Sequence, residues 1–264
     1  MKGIIKSIVF IVVFSLFVVS PSYAGFGVRA LAGVGYIRYT DFNDFADYIT
    51  DNVISKYDVS GELGNIHFVP EAGGEVIFSV VPMINFGLGA GVLFGKSSIG
   101  VSSNDGSFDF EHKIKAYPLT GTLYLKPSIP FIPSKPYVFV GAGLYVCTLN
   151  FSSRLSVGTE ETGYDAELSR TGFGFHGGGG IEFGIVPTVS FGIEVKGRFA
   201  KIKGFEGTRT KLDGEKTDVF LAKYTDEYGN LVYGPEPKEF ADDYGEGEVD
   251  LSGFSGMLYV KIFF

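Results

Sequence analysis

The sequence predicts an all-β fold, an eight-stranded antiparallel up-and-down transmembrane β-barrel, and three observations carry that expectation. First, the last eleven residues alternate strictly: Phe254, Gly256, Leu258, Val260, Ile262 and Phe264 share one face, and Ser255, Met257, Tyr259, Lys261 and Phe263 the other. Period two is the signature of a strand, and this one runs to the final residue. Second, the chain is 45% hydrophobic, with 38 glycines, 26 phenylalanines and 15 tyrosines, yet beyond residue 24 it holds no apolar run long enough for a spanning helix. Third, strand-length segments recur with connections that alternate between short and long, the asymmetry of a barrel in a bacterial outer membrane.

At the amino terminus Lys2 and Lys6 precede an apolar run from Ile8 to Val19, then Pro21 and Ser22-Tyr23-Ala24. A short apolar core behind positive charge, closed by small residues, is the pattern of a cleaved secretory signal. Residues 1–24 are therefore expected to be a signal peptide, and residues 25–264 a single barrel domain beginning at Gly25.

Eight strands are expected at 25–39, 66–80, 84–99, 112–126, 136–151, 170–186, 189–203 and 249–264. Each exceeds the 9 to 11 residues, roughly, of a tilted spanning strand. Short connections fall at Val81-Pro82-Met83, at Val186-Pro187-Thr188 and in the proline-rich stretch 127–136; the others, 40–65, 100–111, 152–169 and 204–248, read as long polar loops. An even strand count places both termini on the short-turn, periplasmic side. In the last loop, Tyr224 to Gly234 has the pattern of a hairpin standing above the membrane.

Alternation also assigns faces. In the sixth strand Phe173, Phe175, Ile181, Phe183 and Ile185 face lipid, while His176 and Glu182 face inward among glycines. The seventh sends Phe191, Ile193, Val195 and Phe199 outward and Glu194, Lys196 and Arg198 inward. Basic residues on the lipid face near the midplane cost about 2–4 kcal/mol, which sets this direction. By the same reasoning Arg29, Glu71, Glu75, Tyr259 and Lys261 point into the lumen. Both faces of the fifth strand are largely apolar, so its register, like the fourth's, stays open.

These inward charges balance: Arg29, Lys196, Arg198 and Lys261 against Glu71, Glu75, Glu182 and Glu194. The lumen of an eight-stranded barrel is only wide enough to be filled by side chains. The charges must pair there, with the Glu71 and Glu75 side expected to meet Arg29 or Lys261; a gated conduction path is the alternative use of the same groups.

The terminal Phe264, with Ile262 and Tyr259 before it, resembles the sorting signal read by the barrel-assembly machinery. With Pro136-Tyr-Val-Phe-Val-Gly-Ala-Gly-Leu144 and Phe173-Gly-Phe-His-Gly-Gly-Gly-Gly-Ile-Glu-Phe183, the chain resembles the small outer-membrane β-barrel superfamily that includes the OmpA membrane domain, OmpX and OmpW. The resemblance implies an outer-membrane location, a closed eight-stranded barrel, and lipid and lipopolysaccharide as surroundings. It implies no substrate, and the chain is expected to lack the peptidoglycan-binding domain of full-length OmpA.

Several function classes are disfavoured. Losing Lys2 and Lys6 with the leader takes the formal charge from −8 to −10, which argues against nucleic acid. Cys147 is alone, so no internal disulfide forms. His67 and His112 near the expected outer rim, with Ser102, Ser103, Ser107 and Glu111, give no nucleophile motif, and neither enzymatic activity, a cofactor nor a metal is expected. Function is expected in the acid-rich loops, Asp41, Asp44, Asp47, Asp51, Asp58 and Glu62 against Lys56 in one, and twelve acids against five bases in 204–248. They suit a structural or surface-interaction role toward an extracellular ligand or host surface; passive transport of small or hydrophobic solutes, as in OmpW-like proteins, is the alternative.

Overall fold

A computed structural model describes residues 25–51, 63–81, 83–102, 106–127, 134–227 and 229–264. The expected leader, and Lys56, Asp58, Glu62 and Ser103, lie outside these residues. In chain order the elements are β1 (Phe26–Ile37), α1 (Thr40–Ile49), β2 (Phe68–Val81), β3 (Ile84–Ser102), β4 (Gly106–Leu125), β5 (Ser134–Val157), β6 (Glu160–Val186), β7 (Val189–Phe199), β8 (Lys201–Ile202), β9 (Glu206–Lys211), β10 (Lys216–Thr225), β11 (Leu231–Pro237), β12 (Val249–Asp250) and β13 (Gly253–Phe263).

Strands β1 to β7 and β13 form a closed antiparallel ring. It seals where β13 pairs with β1, Lys261 opposite Arg29, and with β7, Glu194 opposite Met257. Closure removes the edges of the sheet through its apolar belt up to Phe175 of β6, the condition for a sheet to cross a membrane. This belt surrounds the ring: Val28 and Val34, Leu88 and Phe94, Leu119 and Leu123, Val138, Val140 and Leu144, Phe173, Phe175, Ile193, Val195, Leu258 and Val260 are all exposed, those on β6, β7 and β13 as expected and those on β4 and β5 where the sequence left the faces open. Phe264 caps its lower edge, stacked on Phe26 at 4.9 Å.

Strands β3 to β6 run well past the belt, and their polarity inverts there without any change of register. On β4, Tyr117, Leu119 and Leu123 face out below; above Ala116 the outward residues are Lys115, Lys113, Glu111 and Asp109, and the inward ones Ile114, His112 and Phe110. On β5, Val146 gives way to Thr148, Asn150 and Ser152 outside, with Cys147, Leu149 and Phe151 inside. The segments 100–111 and 152–169 are thus mainly strand, not the polar loops expected. The β5–β6 hairpin turns only at Gly158, whose φ of 61° suits glycine.

The remaining connections enclose this upper half. Beyond the belt β9 pairs with β6, Glu206 opposite Ser169, and β10 and β11 extend the sheet. The hairpin expected at Tyr224–Gly234 is present, closed by Asp226 and Asn230. Helix α1 replaces part of the expected loop 40–65. Its Phe42, Phe45, Ala46 and Ile49 fall at helical spacing and pack into an apolar core with Ile99, Phe110, Ile114, Leu149, Phe151, Leu168, Val219, Leu221 and Tyr233. The seventh strand ends at Phe199 rather than 203, because Lys201–Ile202 turns away to pair with Val249–Asp250.

Candidate functional site: a layered charge network beneath an apolar plug

Below the plug the lumen holds three stacked polar layers. In the layer nearest the short turns, Lys261 Nζ is 2.5 Å and Lys126 Nζ 2.9 Å from the Glu182 carboxylate, and the Tyr259 hydroxyl donates to it at 3.3 Å. In the middle layer Arg29 bridges two acids, Nε 2.7 Å from Glu75 and Nη1 2.8 Å from Glu194. Tyr124 donates to Glu75 at 2.7 Å and Tyr137 to Glu194 at 2.9 Å, and the guanidinium lies over the Tyr124 and Tyr259 rings at 5.0 and 4.9 Å. In the upper layer Glu71 pairs with Lys196 and with Arg198 (3.3 Å), and accepts from Ser255 at 2.7 Å. Arg198 Nε also donates to the Leu251 carbonyl at 2.9 Å, tying this layer to the connection above.

The structure brings all ten lumen residues named from sequence into the interior, but pairs them differently in one respect. Lys261 meets Glu182, not Glu71 or Glu75, because it sits one inward position below Tyr259, at the level of the short turns. Lys126 is a fifth lumen cation that sequence reasoning missed; it shares inward parity with Thr122 and Tyr124 on a strand whose faces were ambiguous. His176, inward as expected, lies 2.9 Å from the Thr122 hydroxyl. Glycines make room for these groups: a Cβ at Gly141 would strike the His176 ring, and one at Gly192 the Tyr259 ring.

Between the upper and middle layers remains a cavity of about 70 Å³, lined by Arg29, Glu71, Glu194, Lys196, Arg198 and His176 among others. At the short-turn end a vestibule of about 700 Å³, with Lys126, Lys135, Glu182 and Lys261 in its walls, opens outward.

Above the network the interior is apolar rather than lined by glycine and charge, a correction to the sequence expectation. His112, expected at the rim, is fully buried: its Nε2 faces the Tyr39 hydroxyl, and its ring packs on Phe42 and Phe151 at 4.5 and 4.3 Å. The Tyr233 hydroxyl lies 3.2 Å from that of Tyr39, extending the buried polar contact beyond His112. Burial pushes the Tyr39 phenol well above its ordinary pKa and keeps it protonated. Tyr39 adopts a left-handed backbone (φ 40°, ψ 46°), uncommon for a non-glycine residue, which lets its ring turn inward at the helix start. The helix is pinned from outside by Lys223, 2.8 Å from Asp41 and 3.1 Å from Asp44, while Asp41 also accepts the Glu248 amide. Two acids of the first expected loop are therefore spent on the fold.

His67 stays at the rim, stacked on Tyr36 at 5.3 Å, and Ser102 lies opposite Ser107 across the β3–β4 hairpin. Neither serine is placed against a histidine in the contacts that position His67 and His112. Among the described residues no three His, Cys, Asp or Glu side chains converge as a metal set.

No protein-family model matches the chain, and no curated protein does. Solved structures of similar overall form are a major outer membrane protein from Thermus thermophilus (15% identity, 91% of this chain and 99% of that one, TM-score 0.47) and the outer membrane protein OprG from Pseudomonas aeruginosa (12%, 92% and 96%, 0.46). The outer membrane protease OmpT from Escherichia coli is also similar (8%, 93% and 98%, 0.38). The fold itself rests on the closed ring and its belt. A single-chain, even-stranded closed barrel with such a belt is the architecture of outer-membrane proteins.

Proposed function

We propose that this protein is a closed outer-membrane barrel whose work is structural and at its outer surface, with no open path along its lumen. The observation that supports this reading is the double occlusion of the interior: three salt-bridged layers, then an apolar core seated on α1. The surface left for contact is acid-rich. Glu239, Asp242, Asp243 and Glu246 stand exposed between β11 and β12, and they suit a basic or cation-bridged extracellular partner. Single-channel recording of the refolded protein tests this, with Glu75→Gln and Arg198→Gln beside it. Silence from inserted, heat-modifiable protein is expected; steady currents that change with the substitutions would overturn the reading.

A second reading, lateral passage of hydrophobic solutes, is favoured by one observation. The β6 strand pairs with β7 only as far as Phe175 and with β9 only from Ser169, so among the described residues Arg170–Gly174 has no ladder partner on that side. Ile202 packs into this seam against Gly172. Uptake of an apolar dye into vesicles that rises in Ile202→Gly would support passage; unchanged uptake would exclude it.

A further inference from the structure

The lumen charges do not balance evenly along the barrel axis. In the upper and middle layers Arg29, Lys196 and Arg198 stand against Glu71, Glu75 and Glu194, three against three. At the short-turn mouth Glu182 is the one carboxylate in the vestibule wall among the described residues, with Lys126, Lys135 and Lys261 around it, so two positive charges are left in excess. Each lysine continues an inward row, two residues from a lumen tyrosine: Lys126 after Tyr124, Lys135 before Tyr137, Lys261 after Tyr259. Lys126 and Lys261 share the Glu182 carboxylate. Lys135 stands opposite Glu182 across the β5–β6 pair but has no ion-pair partner among the described residues. Gathering three ammonium groups around one carboxylate is unfavourable unless a further anion joins them.

Ser190 is a second, independent sign of a ligand. It is the direct cross-strand partner of Lys261 and lines the same vestibule, and its hydroxyl is buried (6% exposed) with no hydrogen-bond partner among the described residues. Buried hydroxyls are ordinarily bonded. The vestibule's volume, about 700 Å³, is that of a small-molecule site, and Asn85 and Thr188 in its wall offer polar groups to the rest of a solute. Its charged groups face inward, so the barrel wall separates them from lipid. Three ammonium groups and a hydroxyl, with no guanidinium in the wall, suit the tetrahedral oxygens of phosphate better than the planar fork of a carboxylate. We propose that this vestibule binds a small phosphorylated solute from the periplasmic side, its phosphate dianion held by Lys126, Lys135 and Lys261 and hydrogen-bonded by Ser190. The site needs only the mouth of the barrel, so single-channel currents would overturn the sealed-lumen reading and leave this one standing.

The test is equilibrium dialysis of the refolded protein, in nonionic detergent, against radiolabelled inorganic phosphate, with the dicarboxylate succinate as competitor. Saturable binding of one phosphate per chain is expected. Lys135→Gln and Ser190→Ala break no ion pair or side-chain hydrogen bond of the folded chain. Each removes one hydrogen bond to a charged ligand and is expected to weaken binding about tenfold. Lys115→Gln, on the outer face of the raised wall, should change nothing. Affinity should be the same in phospholipid nanodiscs, since the wall keeps headgroups from the site. Binding that does not saturate, that both site variants leave unchanged, or that succinate displaces as well as unlabelled phosphate does would overturn the proposal. A fall in affinity in nanodiscs would make a lipid headgroup the occupant and overturn it too.

Discussion

The Tyr39 hydroxyl lies 2.6 Å from Nε2 of His112, joining the first residue before the plug helix to the wall of the barrel. Both side chains are fully buried, and Tyr39 holds a left-handed backbone to make the contact. Tyr39→Phe would leave His112 Nε2 buried without its partner, at a cost of about 1–3 kcal/mol. The expected result is faster amide exchange and proteolysis in α1, with the barrel's heat-modifiable gel mobility unchanged. Protection of α1 equal to the parent's would show that the aromatic packing alone seats the plug.

Among the described residues Arg29 is the only cation touching Glu75 and Glu194 in the ion pairs of the middle layer. Arg29→Met strands two buried carboxylates, and breaking a buried pair costs about 3–5 kcal/mol. Urea unfolding in lipid vesicles should show that loss, and Arg29→Met/Glu75→Gln/Glu194→Gln should recover most of it, since the neutral layer needs no counter-charge.

The clasp between Lys223 and α1 should depend on pH in a set direction. Partial burial disfavours the ammonium, but hydrogen bonds and attraction from Asp41 and Asp44 outweigh it and raise the pKa above that of an ordinary lysine. A raised pKa in the folded state means the stabilisation is complete below the unfolded value, roughly 10.4, and is lost as pH climbs through the folded one. Amide exchange in α1, corrected for its intrinsic pH dependence, should therefore show no change in protection from about pH 7 to 10 and loosening above that. A Lys223→Met protein should be equally loose throughout.

Two glycines of the wall should respond oppositely to one methyl group. At Gly192 a Cβ would meet the Tyr259 ring and the Ile181 carbonyl, whereas at Gly256 it would meet nothing within 4 Å. Gly192→Ala is expected to lower unfolding stability by about 1–3 kcal/mol, as overpacking does, with Gly256→Ala near neutral. Equal effects would mean the wall yields around Tyr259.

The membrane half of the fold was legible because lipid enforces one rule, apolar outside, and a two-residue period reveals it wherever the inward face is polar or glycine, as it is not on the largely apolar fifth strand. The upper half obeys the reverse rule. Phe108, Phe110, His112 and Ile114 alternate with Asp109, Glu111, Lys113 and Lys115 as cleanly as any spanning segment, but a reading that seeks an apolar outer face takes the part up to Glu111 for a polar loop and leaves the faces of the strand that follows open. Helix α1 was hidden by its acids, although Phe42, Phe45, Ala46 and Ile49 carry the helical spacing. Lumen membership could be read from parity where the faces were clear, and of the expected partners Arg29 meets Glu75 whereas Lys261 meets neither Glu71 nor Glu75. Lys261 and Glu71 differ in height along the barrel axis, and height depends on how far each strand is staggered against its neighbours.

The inversion of polarity along β3 to β6 gives the molecule a waterline. Sinking by one outward position, ~7 Å along a strand, would drag Lys96 and Lys115 into hydrocarbon; rising by the same step would lift Phe94 and Tyr117 out of it. Either displacement is opposed on several strands at once, so the depth at which the protein floats is written into its own wall. The raised sheet and its acidic crest are thereby held at a constant height above the lipid, whatever they meet there.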